Sequence, residues 1–267
     1  MQQLLNVYKP LYATPLQVID ALRLKFPEYK ESKIGYAGRL DPLAHGVLLL
    51  MVGEEAKQRE KYLDLPKTYE FEALLGLQTD TYDLLGLLQN PPSPLYVKGV
   101  AAAGGLKQFI QSKLGSHTQP YPPFSSKAVG GKPLHWWAKQ NRLSEITIPT
   151  REITIYSFEL LSTGTISVDD LKEKIKNATT VQGSFRQTEI LEAWGNYFST
   201  HKAKNAQSTI RNSQFPTARF RVSCSSGTYV RGLVHELGKY LETGAVTTEI
   251  LRTEVGEYTI EASLRLQ

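Results

Sequence analysis

The sequence predicts an α+β fold, and three observations carry that prediction. Val47-Leu48-Leu49-Leu50-Met51-Val52 is a continuous apolar run, ended by Gly53, with the length of a buried strand. Lys67 to Ala73 and Phe220 to Cys224 alternate with the period of two that belongs to strands. Helical periodicity appears separately, in Leu16, Ile19, Ala21 and Leu22 and again in Leu106, Phe109, Ile110 and Leu114. At 267 residues the chain can bury a full core, either as one large domain or as one domain with an elaboration.

Taken in order, Leu5 to Pro10 reads as a short strand. Thr14-Pro15-Leu16-Gln17 is a capping box with proline at the first helical position, so a helix runs from there to about Phe26. Gly35 to Val47 is a loop that sets one carboxylate, Asp41, between glycines and a proline. Gly35 and Gly38 permit positive φ or close backbone approach, and Pro42 stiffens the chain just after the acid. On residue types alone, a catalytic loop and an Asp-Pro turn entering a core strand fit this stretch equally well. After the apolar strand, Glu54 to Lys57 is helical and a helix through Lys61-Tyr62-Leu63 leads to the strand at Lys67. That strand ends in a polar turn reaching Asp83.

The helix containing Leu106 to Leu114 is ended by Gly115, and Gln119 to Lys132 forms a proline-stiffened connector. Ile153 to Leu161 is a strand. The strand through Phe220 and Cys224 leads into a helix opened by Arg231, with Leu233, Leu237, Tyr240 and Leu241 on one side and the arginine placed to complement a buried carboxylate. Between these two strands lie roughly fifty residues, far more than a hairpin loop needs. Ile190, Leu191, Trp194, Tyr197 and Phe198 there suggest an amphipathic helix, followed by a polar basic tract from His201 to Gln214 that holds Lys202, Lys204 and Arg211.

Composition bounds the function classes. The only cysteine, Cys224, excludes an internal disulfide and a multi-cysteine zinc site, and its strand position reads as a small buried hydrophobe. The five histidines show no metal-ligand spacing. No run reaches membrane-spanning length and the N-terminus lacks the plan of a signal peptide, so a soluble cytoplasmic protein is expected. The net charge of +5 is unevenly spread: Leu84 to Ser144 and Ala193 to His235 contain no Asp or Glu but many Lys and Arg. Such zones suit a polyanion, although on charge alone lysines that merely solubilise a surface fit equally well. Tyr121, Phe124, Trp136, Trp137, Tyr197 and Phe198 lie among these cations, as unstacked RNA bases require, although each would equally serve as core.

The segment Gly35-Tyr36-Ala37-Gly38-Arg39-Leu40-Asp41-Pro42-Leu43-Ala44-His45-Gly46-Val47 resembles the catalytic motif of the TruB family of tRNA pseudouridine synthases, G-H-x-G-x-L-D-P-x-A-x-G-V-L. Asp41 falls on the nucleophile, and Tyr36 stands where the family has histidine. Lys9-Pro10 resembles the family's lysine-proline motif, Lys67-Thr68-Tyr69 its K-x-Y strand, and Gly76 to Asp83 its G-x-x-T-D-T-x-D turn. Cys224 to Arg231 matches C-S-x-G-T-Y-[IV]-R at every specified position. Leu251-Arg252-Thr253 resembles the closing L-R-R-T, with Leu251 for the first arginine. Gln119 to Lys132 resembles an RNA-facing loop of the family, but with altered order around its serines, so no single residue carries over.

The resemblance covers residues 5–163 and 216–262. It implies a pseudouridine synthase fold: a central mixed, mostly antiparallel sheet flanked by helices. Residues 1–267 would be the catalytic domain, with 164–215 a helical insertion where the family has a short hairpin, and no C-terminal PUA-type RNA-binding domain. It implies isomerisation of the T-loop uridine of tRNA (position 55) by a flipped-base mechanism. In that scheme Asp41, Tyr69 and Arg231 are catalytic, Tyr69 stacking on the uracil and standing as a candidate to take its C5 proton. Tyr36, Tyr229, Leu233 and Lys9 would line the substrate. Arg231 is expected to grip Asp41 with two prongs. The partner would be the T arm of tRNA; no cofactor, no metal, no membrane and no protein partner are implied, and the chain would act as a monomer. The competing readings are a guide-type or ribosomal RNA synthase relative and a non-catalytic RNA-folding module. A glycoside hydrolase would need a second carboxylate opposite Asp41, for which Asp80 and Asp83 are the nominees.

Overall fold

Thr14 caps the first helix as its spacing to Gln17 requires: its Oγ1 accepts from the Gln17 amide at 3.3 Å while the Gln17 side chain accepts from the Thr14 amide at 2.8 Å. The computed structural model describes residues 3–89, 103–205 and 214–266. Its first part comprises β1 (Leu4–Lys9), α1 (Pro15–Lys25), β2 (Ile34–Ala37), β3 (Ala44–Val52), α2 (Arg59–Leu63) and β4 (Lys67–Leu75). The short strands β5 (Gln78–Thr79) and β6 (Leu88–Gln89) follow, then α3 (Ala103–Lys113), β7 (Gly115–Pro120), the small hairpin β8 (Ala128–Val129) and β9 (Lys132–Pro133), and α4 (Leu134–Lys139). The last part holds β10 (Thr150–Ser167), α5 (Val168–Ala178), α6 (Gln187–Asn205), β11 (Gln214–Cys224), α7 (Val230–Tyr240), β12 (Ala245–Val255) and β13 (Tyr258–Thr259). Among the described residues no helix is long and apolar enough to cross a membrane.

The main sheet has the order β1-β3-β12-β4-β11-β10-β7, with β2 on β3 and β13 on β12. The β12–β3 pair is parallel and the other pairs are antiparallel, as expected for a mixed, mostly antiparallel sheet. β3 has no polar alternation because both of its faces are covered. Leu48, Leu50 and Val52 pack under α1 with Val18, Ile19 and Leu22, whereas Val47, Leu49 and Met51 pack with Tyr62 and Val255. The buried face of α1 departs from its sequence reading at one residue: Leu16 is 63% exposed and Val18 takes the inward place.

The sheet separates two further cores. Phe71, Ala73 and Leu75 of β4 meet α3 and α7 on one face. Leu74 of β4 and Val246 of β12 face the other way, toward Leu171, Ile175, Ile190, Trp194 and Phe198 of α5 and α6. The two helices thus cover a sheet face, and Tyr197 and Phe198 belong to that core rather than to an exposed stacking surface. β10 and β11 stay paired, with register shifts between Ile155 and Ser157 and between Leu160 and Ser162, as far as the Ser167–Gln214 pair, well past the expected strand end at Leu161. Of the basic tract, Arg211 and the side chains of Lys202 and Lys204 lie outside the described residues.

The parallel join is tight at one point. Gly46 has φ +105°, and a Cβ there would stand 2.2 Å from the Arg252 carbonyl oxygen. Both strands are main-chain bound at this place, so neither can yield. Gly46→Ala is therefore expected to destabilise the protein by more than about 3 kcal/mol, at the severe end for a single substitution. Denaturant unfolding of the variant checks it.

Candidate active site

Asp41 sits between β2 and β3 on a loop whose backbone is held from three sides. Gly38 turns the chain at φ +71°, and the Asp41 carbonyl accepts from the Ala44 amide at 3.0 Å. Tyr12 donates its amide to the Pro42 carbonyl at 2.9 Å, and Ile250 of β12 donates to the Leu43 carbonyl at 3.1 Å. Gly35, expected to supply positive φ as well, has an ordinary strand conformation. A Cβ there would rest 3.6 Å from Met51, so the turn is made by Gly38 alone.

Lys9 needs correcting as a substrate-binding residue. Its side chain is fully buried, and Nζ donates to the carbonyls of Ala44 (2.5 Å) and Pro10 (3.1 Å). Burial pulls its pKa down to about 7, with Asp41 opposing and Arg252 adding to the fall. With no surface to offer, Lys9 serves as a clamp on the far end of the catalytic loop.

Arg231, in the first turn of α7, is the centre of the site. Its side chain is 5% exposed, against 34% for Asp41. Nε donates to Asp41 Oδ2 at 2.8 Å, Nη1 to the Thr81 carbonyl at 2.6 Å and Nη2 to the Phe124 carbonyl at 3.3 Å. The two-pronged grip on Asp41 is thus a single prong, because the rest of the guanidinium is used by two backbone oxygens. Asp83 Oδ2 lies 3.6 Å from the same Nε. This second carboxylate is buried and also accepts from Thr81 Oγ1 (2.6 Å) and the Leu85 amide (3.0 Å). Burial pushes its pKa up to about 6, against the pull of Arg231 and Thr81. One arginine therefore holds two acids in different surroundings, and only Asp41 is open to a substrate.

Tyr69 on β4 is half-buried and packs against the core that contains Leu233. Burial raises the pKa of its phenol, while a hydrogen bond with Arg252 opposes that rise. Arg252, 1% exposed, also donates to the carbonyls of Val47 (2.7 Å) and Gly38 (3.1 Å), which ties Tyr69 to the catalytic loop. Tyr229 is half-buried near Asp41, which helps burial raise its phenol pKa, and its ring lies edge-on to Tyr121 at 5.6 Å. Tyr36 lies at the rim, its hydroxyl accepting from Arg39 at 3.1 Å. Leu233, at 1% exposure, belongs to the core and offers no open surface; it can support a bound base only from beneath.

Sequence reading gave Gln119 no role in this site, Arg252 only a place in a motif, and Asp83 only a nomination as the second carboxylate of a hydrolase. Gln119 is buried and pairs with both backbone groups of Tyr229, its Oε1 accepting at 2.8 Å and its Nε2 donating at 3.1 Å. Arg252 had a visible signal, its place in the Leu251-Arg252-Thr253 segment.

The chain is similar to known proteins. Residues 27–181, more than half of the chain, match the TruB family pseudouridylate synthase (N terminal domain). Proteins called tRNA pseudouridine synthase B are similar along nearly the whole chain. The one from Caldanaerobacter subterraneus subsp. tengcongensis is 29% identical, covering 98% of this chain and 72% of the relative. The one from Aquifex aeolicus is 26% identical, covering 100% and 73%. Among solved structures, a chain in a Cbf5-Nop10-Gar1 complex superposes with a TM-score of 0.55 at 18% identity, over 99% of this chain and 52% of that one. This chain thus spans about half of that solved chain, and the likeness concerns the fold. The match across residues 27–181 covers more than half of an α+β chain, and the chain belongs to the TruB family of pseudouridine synthases, which are isomerases.

Proposed function

We propose that the protein isomerises uridine to pseudouridine in tRNA, at the T-loop uridine, binding the T arm as a monomer in the cytoplasm without a cofactor. The observation that carries this reading is Asp41, partly exposed and held at 2.8 Å by a buried arginine. The names of the similar proteins from Caldanaerobacter and Aquifex support tRNA as the substrate. Isomerisation breaks the N1–C1′ bond, turns the base and joins C5 to C1′; N1 gains a proton and C5 loses one. Asp41 would supply the anion at the ribose, by attack on C1′ or by taking the C2′ proton. Arg231 would hold that anion in one orientation. The flipped uracil would stack on Tyr69 above the floor that Leu233 supports, with Tyr229 beside Asp41 and Tyr36 at the rim.

Release of tritium from C5-labelled uridine in an unmodified tRNA transcript tests this reading, since the C5 hydrogen leaves only if C5 forms the new bond. No release by the folded protein would overturn it. Tyr69→Phe separates the two roles of the ring. The variant is expected to keep tRNA affinity, because stacking remains, and to lose about 10²-fold in rate through loss of a proton-transfer group. A filter-binding curve and a single-turnover time course check the two halves.

A further inference from the structure

The connector between α5 and α6 is a built turn rather than a slack loop. Gln187 Nε2 donates to the carbonyls of Val181 (3.1 Å) and Gly183 (2.7 Å), and its Oε1 accepts from the Phe185 amide at 3.1 Å. The turn ends at Arg186, which has φ +58°, a conformation that a non-glycine residue keeps only when its surroundings hold it. Its guanidinium forms a forked pair with Asp80, Nη1 to Oδ2 at 2.7 Å and Nη2 to Oδ1 at 3.1 Å, and both side chains are 20% exposed. The same guanidinium lies over the ring of Phe124, 4.5 Å from its centroid.

These two contacts fall on the two segments that orient Arg231. Thr81, the neighbour of Asp80, supplies the carbonyl for Arg231 Nη1, and Phe124 supplies the carbonyl for Nη2. Asp80 is pinned further, since its Oδ1 accepts from the Leu87 amide at 2.9 Å and its own amide donates to the Leu87 carbonyl at 3.1 Å. Other contacts from the same region reinforce the arrangement: Lys139 donates to the Ser184 carbonyl at 3.0 Å and Trp194 Nε1 to the Gly86 carbonyl at 3.3 Å.

We infer that Arg186 is a positioning residue for the isomerisation, a second arginine behind Arg231 that fixes the backbone oxygens aiming the first one at Asp41. A free cation awaiting RNA phosphate would not have its fork committed to a carboxylate and its flat face to a ring. The inference rests on the reading of Asp41 and Arg231 as the isomerising pair.

The test compares the parent with Arg186→Ala, Arg186→Lys, Asp80→Asn and the Arg186→Ala/Asp80→Asn double variant. Each is measured for single-turnover tritium release at saturating enzyme and for affinity toward the same unmodified tRNA transcript. Rates are expected to fall roughly tenfold to a hundredfold, the size of a small misplacement of a catalytic group, with affinity unchanged. Lysine should not rescue, for want of a fork, and the double variant should be no slower than the worse single one, as for residues of one network. Should Arg186→Ala fail to fold, Arg186→Lys and Asp80→Asn decide. Parent-like rates, lost affinity with an intact rate, or additive losses would each overturn the inference. An inactive parent would instead defeat the function proposed above.

Discussion

Asp41→Asn is expected to abolish pseudouridine formation, with a loss of at least ~10⁴-fold, the scale reported for removal of a group that acts directly on the reacting atoms. The amide has the shape of the carboxylate and can still accept from Arg231 Nε through its oxygen, so the site should keep its form. What it lacks is the negative charge needed either to attack C1′ or to remove a proton from C2′. Asp83 cannot substitute, because its carboxylate is buried and already accepts from Thr81 and Leu85. Tritium release by the folded variant, at a rate near the parent's, would remove Asp41 from the mechanism.

Arg231→Lys is expected to cost both rate and stability. The arginine serves three acceptors in three directions: Asp41, the Thr81 carbonyl and the Phe124 carbonyl. An ammonium on a flexible stem cannot meet all three at those places, and at 5% exposure water cannot replace the lost bonds. Each buried group left unpaired costs about 1–3 kcal/mol, so a loss of several kcal/mol in unfolding free energy is expected. The rate should drop by roughly 10²- to 10³-fold through disorder of Asp41, a penalty similar to that for losing one fixed electrostatic partner. Thermal unfolding and single-turnover kinetics check these effects separately, and near-parent values in both would refute the three-acceptor account.

The catalytic loop was legible because its residues are constrained by type. Gly38 must take positive φ, Gly46 must admit the Arg252 backbone, and Asp41 and Arg231 fall in long motifs that few other arrangements satisfy. Elements whose outlines follow burial were read well where burial alternates, as from Tyr69 to Ala73 in β4. The inward face of α1 was read correctly at Ile19 and Leu22 but misread at Leu16, because Leu16 and Val18 are both apolar and only packing against β3 chooses between them. β10 was read short because Leu161 to Thr165 are exposed on the extended hairpin, so no apolar alternation marks them as strand. Gln119 and the pairings of Asp83 and Arg252 escaped for a related reason. Their importance lies in partners far along the chain, with 110 positions between Gln119 and Tyr229 and 205 between Arg252 and Val47, and residue type alone carries no trace of such pairings.

The parallel pairing of β12 with β3 has a consequence for the order in which the molecule becomes competent. Leu251 meets His45 across that join, and Ile250 and Arg252 supply the bonds that fix Leu43, Gly38 and Val47 around Asp41. During synthesis Asp41 emerges well before β12, the strand that shapes its loop. Contacts so distant in sequence close slowly, after local hairpins and helices have formed. The loop accordingly waits for β12 to take its shape, and a polypeptide arrested before residue 245 would carry Asp41 on an unformed loop. Any isomerisation that depends on Asp41 would thereby report the joining of β12 to β3.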